Sequence, residues 1–265
     1  MITEFIHWHV NPEIFRIGNF AIRWYGLLFA SAFFFGYLIM AKMFKWENVP
    51  EPLLDKLTLY MAVGTIVGAR LGHVFFYEPG YYLHNPLEIL KVWHGGLASH
   101  GAAIGILLAI YIFSRETKRP FLWAIDRIVV VVALSGFFIR MGNLMNSEIY
   151  GIPTKLPWGF IFERNGETIP KHPTQIYEAL SYLTIFVVLY LIYLKKKEKL
   201  TQGLLFSLFL ILVFTARFFI EFIKEVQVNF ERTLPLDMGQ ILSIPFILTG
   251  VVLLFIIYRK KKPQT

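Results

Sequence analysis

Residues 140–151, R-M-G-N-L-M-N-S-E-I-Y-G, set an arginine, two asparagines three apart and a glutamate directly after an apolar run at 121–139. Hydrocarbon solvates neither a guanidinium nor a carboxamide cheaply, so polar groups packed this densely at the end of such a run are interfacial anchors or a binding site. Arg217 and Glu221 stand one helical turn apart in another apolar run, and His100 lies in H-G-G-L-A-S-H-G among small residues that let a substrate approach. Tyr25, with Arg23, opens the first apolar run, and Glu178, with Gln175, opens the fifth. Two arginines for an anion, a side chain type that changes charge near neutral pH, and carboxamides beside a carboxylate make a set suited to handling a phosphate or a carboxylate.

Each of these residues also has a structural reading. Arg140 can snorkel to the interface, Arg217 and Glu221 can form an i, i+4 ion pair, and Glu178 suits a helix N-terminus. Asn143 and Asn146 can cap a helix end, His94 can serve as a capping or interfacial residue, and His100 can be purely structural. The chain has no cysteine, which excludes disulfides, thiolate nucleophiles and thiolate metal sites. No H-E-x-x-H, serine elbow or phosphate-cradling glycine loop is present, and the scattered histidines lack metal-ligand spacing, so neither a metal nor a cofactor is expected.

These residues must be positioned by membrane helices. With 56% hydrophobic and 17% charged residues and a mean hydropathy of +0.55, the 265-residue chain is too apolar for a soluble domain. Seven windows approach the roughly 20 apolar residues that a span needs: 19–41, 55–77, 96–113, 121–140, 175–194, 204–223 and 237–258. The expected fold is an all-α polytopic membrane protein. The first window has no basic leader, since residues 1–12 contain no Lys or Arg, and is expected to be retained.

Alternate connections carry unequal positive charge. Fourteen Lys and Arg follow the first, third, fifth and seventh windows, and seven lie in the other set. Positive-inside then puts the N-terminus outside and the C-terminus in the cytoplasm. The net charge of +8 is accounted for by this asymmetry and needs no nucleic acid. The remaining five basic residues, Arg23, Arg70, Arg127, Arg140 and Arg217, lie in or beside spans and are all arginine, the side chain that keeps its charge and offers a planar fork of donors.

On that topology six of the seven spans place polar residues toward the outer side, among them Arg70, His73, His94 and His100. Asp126 and Arg127 alone sit near the cytoplasmic end and read as packing or anchoring residues. Gly64, Gly68 and Gly72 recur every four residues, the pattern of close helix packing. No repeat or soluble domain is evident, so one domain is expected over 1–265, elaborated by an outer loop at 152–174. That loop carries four prolines and a possible hairpin turning at Asn165-Gly166, and the alternation before Trp24 suggests short extended pieces.

The segments R-M-G-N-L-M-N-S-E-I-Y-G, H-G-G-L-A-S-H-G, R-W-Y-G, H-P-T-Q-I-Y-E and R-F-F-I-E-F, in that family's expected order along nearly the whole chain, resemble the bacterial prolipoprotein diacylglyceryl transferases. The resemblance implies seven spans with an outward N-terminus in the bacterial inner membrane. It also implies transfer of the diacylglyceryl group of phosphatidylglycerol to the signal-peptide cysteine of a lipoprotein precursor, forming a thioether and releasing glycerol 1-phosphate. By motif position, Arg140 and Arg217 would hold the lipid phosphate and His100 would be the candidate general base. Asn143, Asn146 and Glu148 would shape the headgroup site, Gly151 would permit a turn, and Tyr25, Glu178 and Glu221 would orient substrate or arginine. The chain departs from the family at Ile139, where glycine is usual, and at Leu144, where phenylalanine is usual. Both changes touch packing and leave the polar positions intact. A transporter or channel for an anionic solute would also need intramembrane arginines, but such sites tend to lie at the midplane between related halves. A non-catalytic lipid-binding scaffold would tolerate loss of His100.

Overall fold

A computed structural model describes residues 5–18, 20–92, 95–226 and 235–261. His94 lies outside the described residues. Each apolar window is occupied by a long helix: α1 (Trp24–Trp46), α2 (Glu51–Phe76), α4 (Ser99–Thr117), α5 (Phe121–Met145), α6 (Thr174–Lys196), α7 (Leu204–Glu221) and α8 (Met238–Lys261), with a short α3 (Pro79–His84) after α2. Among the described residues, six of the seven long helices are long and apolar enough to cross a membrane. The exception is α4, whose apolar stretch is cut short by His100 at one end and Arg115 and Glu116 at the other. The chain is therefore a mostly helical, multi-pass membrane protein. It divides into two compact units, Met40–Ile125 and the remainder, with the divisions falling inside α1 and α5.

In the unit Met40–Ile125, α2 and α4 cross on glycine. A Cβ on Gly68 would sit 2.4 Å from the Gly101 carbonyl oxygen, and one on Gly105 would sit 2.0 Å from that of Gly64, so no side chain fits at the crossing. The every-fourth-glycine pattern thus serves close packing, matched by Gly101 and Gly105 on the partner helix. Arg70 is buried, and its donors are spent on backbone carbonyls of the connection after α3: Ile89 at 2.9 Å, Gly95 at 2.6 Å, and Glu88. It holds that connection, with its guanidinium over the Tyr82 ring. Positive φ at Gly95 and Gly96 delays the start of α4 to Ser99.

In the other unit, β2 (Glu13–Ile17) and β3 (Phe20–Arg23) form an antiparallel hairpin leading directly into α1, which is why that helix starts at Trp24. Near the N-terminus β1 (Ile6–Trp8) pairs in parallel with β4 (Phe160–Phe162). Trp8 packs on a buried cluster of Leu144, Phe160 and Phe162 and donates its indole N–H to the Leu144 carbonyl at 3.0 Å. The chain does reverse at Asn165-Gly166, where Gly166 has φ +73°. The returning arm, however, forms no ladder on β4: Lys171 exchanges both backbone hydrogen bonds with Phe160 at 2.8 and 2.9 Å, and Glu167 donates its N–H to the Phe162 carbonyl at 3.4 Å. Pro170 and Pro173 lack the N–H groups that a longer ladder needs. Asp126 accepts the backbone N–H groups of Gly203 at 2.6 Å and Phe206 at 2.9 Å, so it caps the start of α7.

Candidate functional site

The C-terminal turns of α5, the loop that follows, the first turns of α6 and the end of α7 bring most of the sequence-predicted residues into one polar cluster. Its centre is Glu178, wholly buried, with Oε2 2.9 Å from Arg140 Nε and Oε1 3.3 Å from Lys224 Nζ. The contact to Arg140 is an ion pair and not an aligned hydrogen bond, since Oε2 has no hydrogen-bond partner. Lys224 also lies 3.4 Å from Glu221 Oε2. Arg140 Nη1 donates to Asn143 Oδ1 at 3.1 Å, and Asn143 passes the polarity on by donating to Glu148 Oε1 at 2.7 Å. Asn146 donates to the same oxygen at 3.3 Å.

The loop after α5 is strained and held. Ser147 and Ile149 have φ of +55° and +61°, a conformation costly for any side chain and most of all for a β-branched one. Three side chains grip three successive carbonyls there: Asn165 donates to Ser147 O at 2.7 Å, Gln175 to Glu148 O at 2.7 Å and Thr174 to Ile149 O at 2.9 Å. Gly151 has no positive φ, so the turn is made by Ser147 and Ile149, and Gly151 acts through space. A Cβ on it would meet the Ile223 carbonyl oxygen at 2.3 Å, where the loop bridges to Lys224.

Two more glycines admit aromatic rings on either side of Arg140. A Cβ on Gly142 would lie 2.8 Å from the Tyr25 ring, and one on Gly136 would lie 2.7 Å from the Tyr182 ring. Tyr25 is within electrostatic reach of Arg140 and Glu148, and Tyr182 of Arg140, Arg217 and Glu178. Gly239 does the same for Glu221, whose carboxyl carbon would be 2.4 Å from a Cβ there.

The expected i, i+4 pair between Arg217 and Glu221 is not formed. Glu221 turns to Lys224, leaving the buried Nε of Arg217 without a hydrogen-bond partner. Glu178 is shared by two cations while the buried Nε of Arg217 keeps a donor unspent, in a cluster of cations, carboxylates and carboxamides whose guanidinium donors suit an anionic group. His100 belongs to the other unit. There it is exposed and sits against the rings of Phe76 and Tyr77, with centroids at 5.1 and 5.9 Å. Arg23 pairs with Glu13 at 3.5 Å on the surface.

Lys224 and Tyr182 join the cluster without a mark in the sequence that sets them apart. Lys224 stands three residues after Glu221, a spacing that pairs charges on a helix face, but it reads equally as a loop charge. Tyr182 is one turn beyond Glu178 and is hidden in an apolar run. Among the described residues no group of three or more His, Asp or Glu is placed to hold a metal.

Outside the spans, Lys171 is buried and donates to Glu167 at 2.8 Å and Glu225 at 2.9 Å. Burial alone would lower its pKa, but the two carboxylates outweigh it and hold Lys171 above its ordinary value. Glu167 is pushed up by burial and pulled further down by Lys171 and Tyr150, ending below its ordinary value. Burial raises the Tyr150 phenol and lowers His172.

The family model for prolipoprotein diacylglyceryl transferase matches residues 12–256. A protein of Tolumonas auensis named phosphatidylglycerol–prolipoprotein diacylglyceryl transferase is 49% identical over 257 residues, covering 97% of this chain and 99% of its own. Proteins of the same name from Chloroherpeton thalassium and Porphyromonas gingivalis are 48% and 46% identical, covering 96% and 100% of this chain and 94% and 98% of theirs.

Proposed function

This chain belongs to the prolipoprotein diacylglyceryl transferase family, and we propose that it transfers the diacylglyceryl group of phosphatidylglycerol to the signal-peptide cysteine of a lipoprotein precursor. The thiol sulfur bonds to the terminal glycerol carbon of the diacylglyceryl group as the bond from that carbon to phosphate oxygen breaks. The oxygen keeps the electron pair, glycerol 1-phosphate leaves, and the thiol proton passes to a base. The nucleophile belongs to the substrate, in keeping with a chain that has no cysteine.

The observation that carries this reading is the unsatisfied, buried Nε of Arg217 in the cluster that also holds Arg140. Charge grows on the leaving phosphate as the bond breaks, and donors fixed before the reaction stabilise that charge without reorganising. Arg217 and Arg140 serve as the phosphate donors. Glu178, paired with Arg140 and Lys224, and Glu221, paired with Lys224, offset the positive charge of the cluster, and Asn143, Asn146 and Glu148 present a polar wall to the headgroup. Tyr25 packs against that wall, and Gly151 keeps it close to Lys224. His100 is the base for the thiol. A thiol with a pKa of roughly 8.5 is partly ionised near neutrality even unaided, so the base contributes rate without being indispensable.

Seven spans with an outside N-terminus and a cytoplasmic C-terminus fit the seven long helices and the doubled Lys and Arg content of one set of connections. On that topology the cluster faces the outer leaflet of the bacterial cytoplasmic membrane. The test is direct. Purified protein is given labelled phosphatidylglycerol and a signal peptide bearing its cysteine. A peptide gaining the mass of a diacylglyceryl group supports the reading, and no transfer by well-folded protein rejects it.

A further inference from the structure

Arg140, Lys224 and Arg217 share two carboxylates where α7 ends. Arg140 pairs with Glu178, Glu178 with Lys224, and Lys224 with Glu221, at 2.9, 3.3 and 3.4 Å. Glu148 stands outside this chain of pairs, since it accepts from Asn143 and Asn146. One positive charge is therefore left over, and the position of Lys224 decides where. By spacing alone Glu221 would serve Arg217, four residues earlier on the same helix, and the arginine would have a local partner. With Glu221 turned to Lys224, the surplus falls on Arg217, whose buried Nε has no hydrogen-bond partner.

The backbone holds Lys224 to that task. On one side of it Ile152 donates its N–H to the Ile223 carbonyl at 3.0 Å, and on the other Glu225 donates to the Tyr150 carbonyl at 3.2 Å. Lys224 is thereby tied to the loop after α5, with 6% of its surface exposed. Glu221 has room to turn because Gly239 lacks a side chain, a Cβ there falling 2.4 Å from the carboxyl carbon. Taking away the ammonium would leave Glu221 a largely buried charge without a counter-charge, which is costly. Arg140 is already committed to Glu178, so Arg217, one turn back, would receive it.

We propose that Lys224 is a positioning residue: it holds Glu221 away from Arg217 and so keeps the Arg217 guanidinium open to the phosphate on which charge develops. The proposal rests on the transferase reading above. It makes Glu221 a group whose charge hinders transfer unless Lys224 balances it.

The test uses the full-length protein in phosphatidylglycerol vesicles with a synthetic signal peptide bearing its cysteine. Lys224→Met should lower transfer roughly ten- to a hundred-fold, as Glu221 takes the donors of Arg217. Lys224→Arg, which keeps a cation between the carboxylates, should stay within a few-fold of wild type. Combining Lys224→Met with Glu221→Gln should restore transfer to within roughly ten-fold of wild type, a recovery that a lysine needed only for stability would not show. Undiminished transfer in Lys224→Met, or a double variant no faster than the single one, overturns the proposal. Where Lys224→Met does not fold, the double variant decides alone. Removing both charges together is tolerated far better than removing one, so a double variant that is unfolded, or folded and slower than wild type by more than about a hundred-fold, overturns it. The affinity of the solubilised protein for glycerol 1-phosphate should fall and recover in the same order. That order without any transfer by the wild type would reject the transferase reading and keep the role of Lys224; transfer by the wild type without that order would do the reverse.

Discussion

Arg140 Nε lies 2.9 Å from Oε2 of Glu178, a carboxylate with no exposed surface, and the other oxygen of that carboxylate lies 3.3 Å from Lys224. Glu178 thus holds two cations together inside the protein. Replacing it by glutamine leaves both without their shared counter-charge, and removing one partner of a buried pair costs about 3–5 kcal/mol. Glu178→Gln is expected to lower the unfolding midpoint in detergent strongly. Glu163→Gln, which breaks an exposed contact to His7 of 2.6 Å, should change stability by under about 1 kcal/mol. Equal effects in the two variants would show that Glu178 does not bridge the cations.

Arginine at position 140 is used for its shape as well as its charge, since it meets Glu178 through Nε and Asn143 through Nη1. Arg140→Ala should reduce transfer by roughly 100-fold or more, the scale for losing a donor to developing charge. Arg140→Lys should recover little of it, because a single ammonium cannot occupy both positions. Arg217→Ala is expected to match Arg140→Ala in rate while leaving the protein inserted. Turnover within a few-fold of wild type for Arg217→Ala would remove it from the site.

Asp126 looks similar in sequence, an ionisable residue in a span, yet it caps α7 through Gly203 and Phe206. Asp126→Asn should cost about 1 kcal/mol of stability and leave the rate per folded molecule unchanged. A selective loss of transfer with stability intact would give Asp126 a functional role.

The Glu167–Lys171–Glu225 clasp on the 152–174 loop has a definite pH range. Glu167 is held below its ordinary 4.5, so its contribution is complete above that value and is lost as pH falls through the lowered one. Lys171 is held above its ordinary 10.5, so its contribution is complete below that value and is lost as pH rises through the raised one. His172, held below its ordinary 6.5 by burial, contributes stability that is lost as pH falls below that value. Protection of the loop from proteolysis should be flat between about pH 7 and 10 and weaken in acid. In Lys171→Met the loss below pH 5 should shrink, since only Tyr150 still holds Glu167 down, and a wild-type acid profile in that variant would contradict the clasp.

Helices were readable because an apolar run of span length leaves the backbone few other ways to satisfy its hydrogen bonds. The glycines at 64, 68 and 72 were readable for a related reason, since small residues one turn apart expose backbone for a neighbouring helix. What local pattern does not encode is partner choice across the chain. Arg70 and Arg140 are the same residue type near the C-terminal ends of apolar runs, and only the fold shows one spent on carbonyls and the other on Glu178. The parallel pairing of β1 with β4 joins segments about 150 residues apart, with no turn chemistry to announce it. Likewise Lys224 carries no mark in sequence that separates a buried bridge from a loop charge, and the free Nε of Arg217 follows from Glu221 preferring that lysine.

The measurement that tests the account most directly is the stoichiometry of the two products in one reaction, with purified wild-type protein, labelled phosphatidylglycerol and the cysteine peptide. One glycerol 1-phosphate should be released for each thioether formed, and neither product should appear when the peptide cysteine is replaced by serine. Glycerol phosphate released without modified peptide, or modified peptide formed without it, would contradict the proposed transfer.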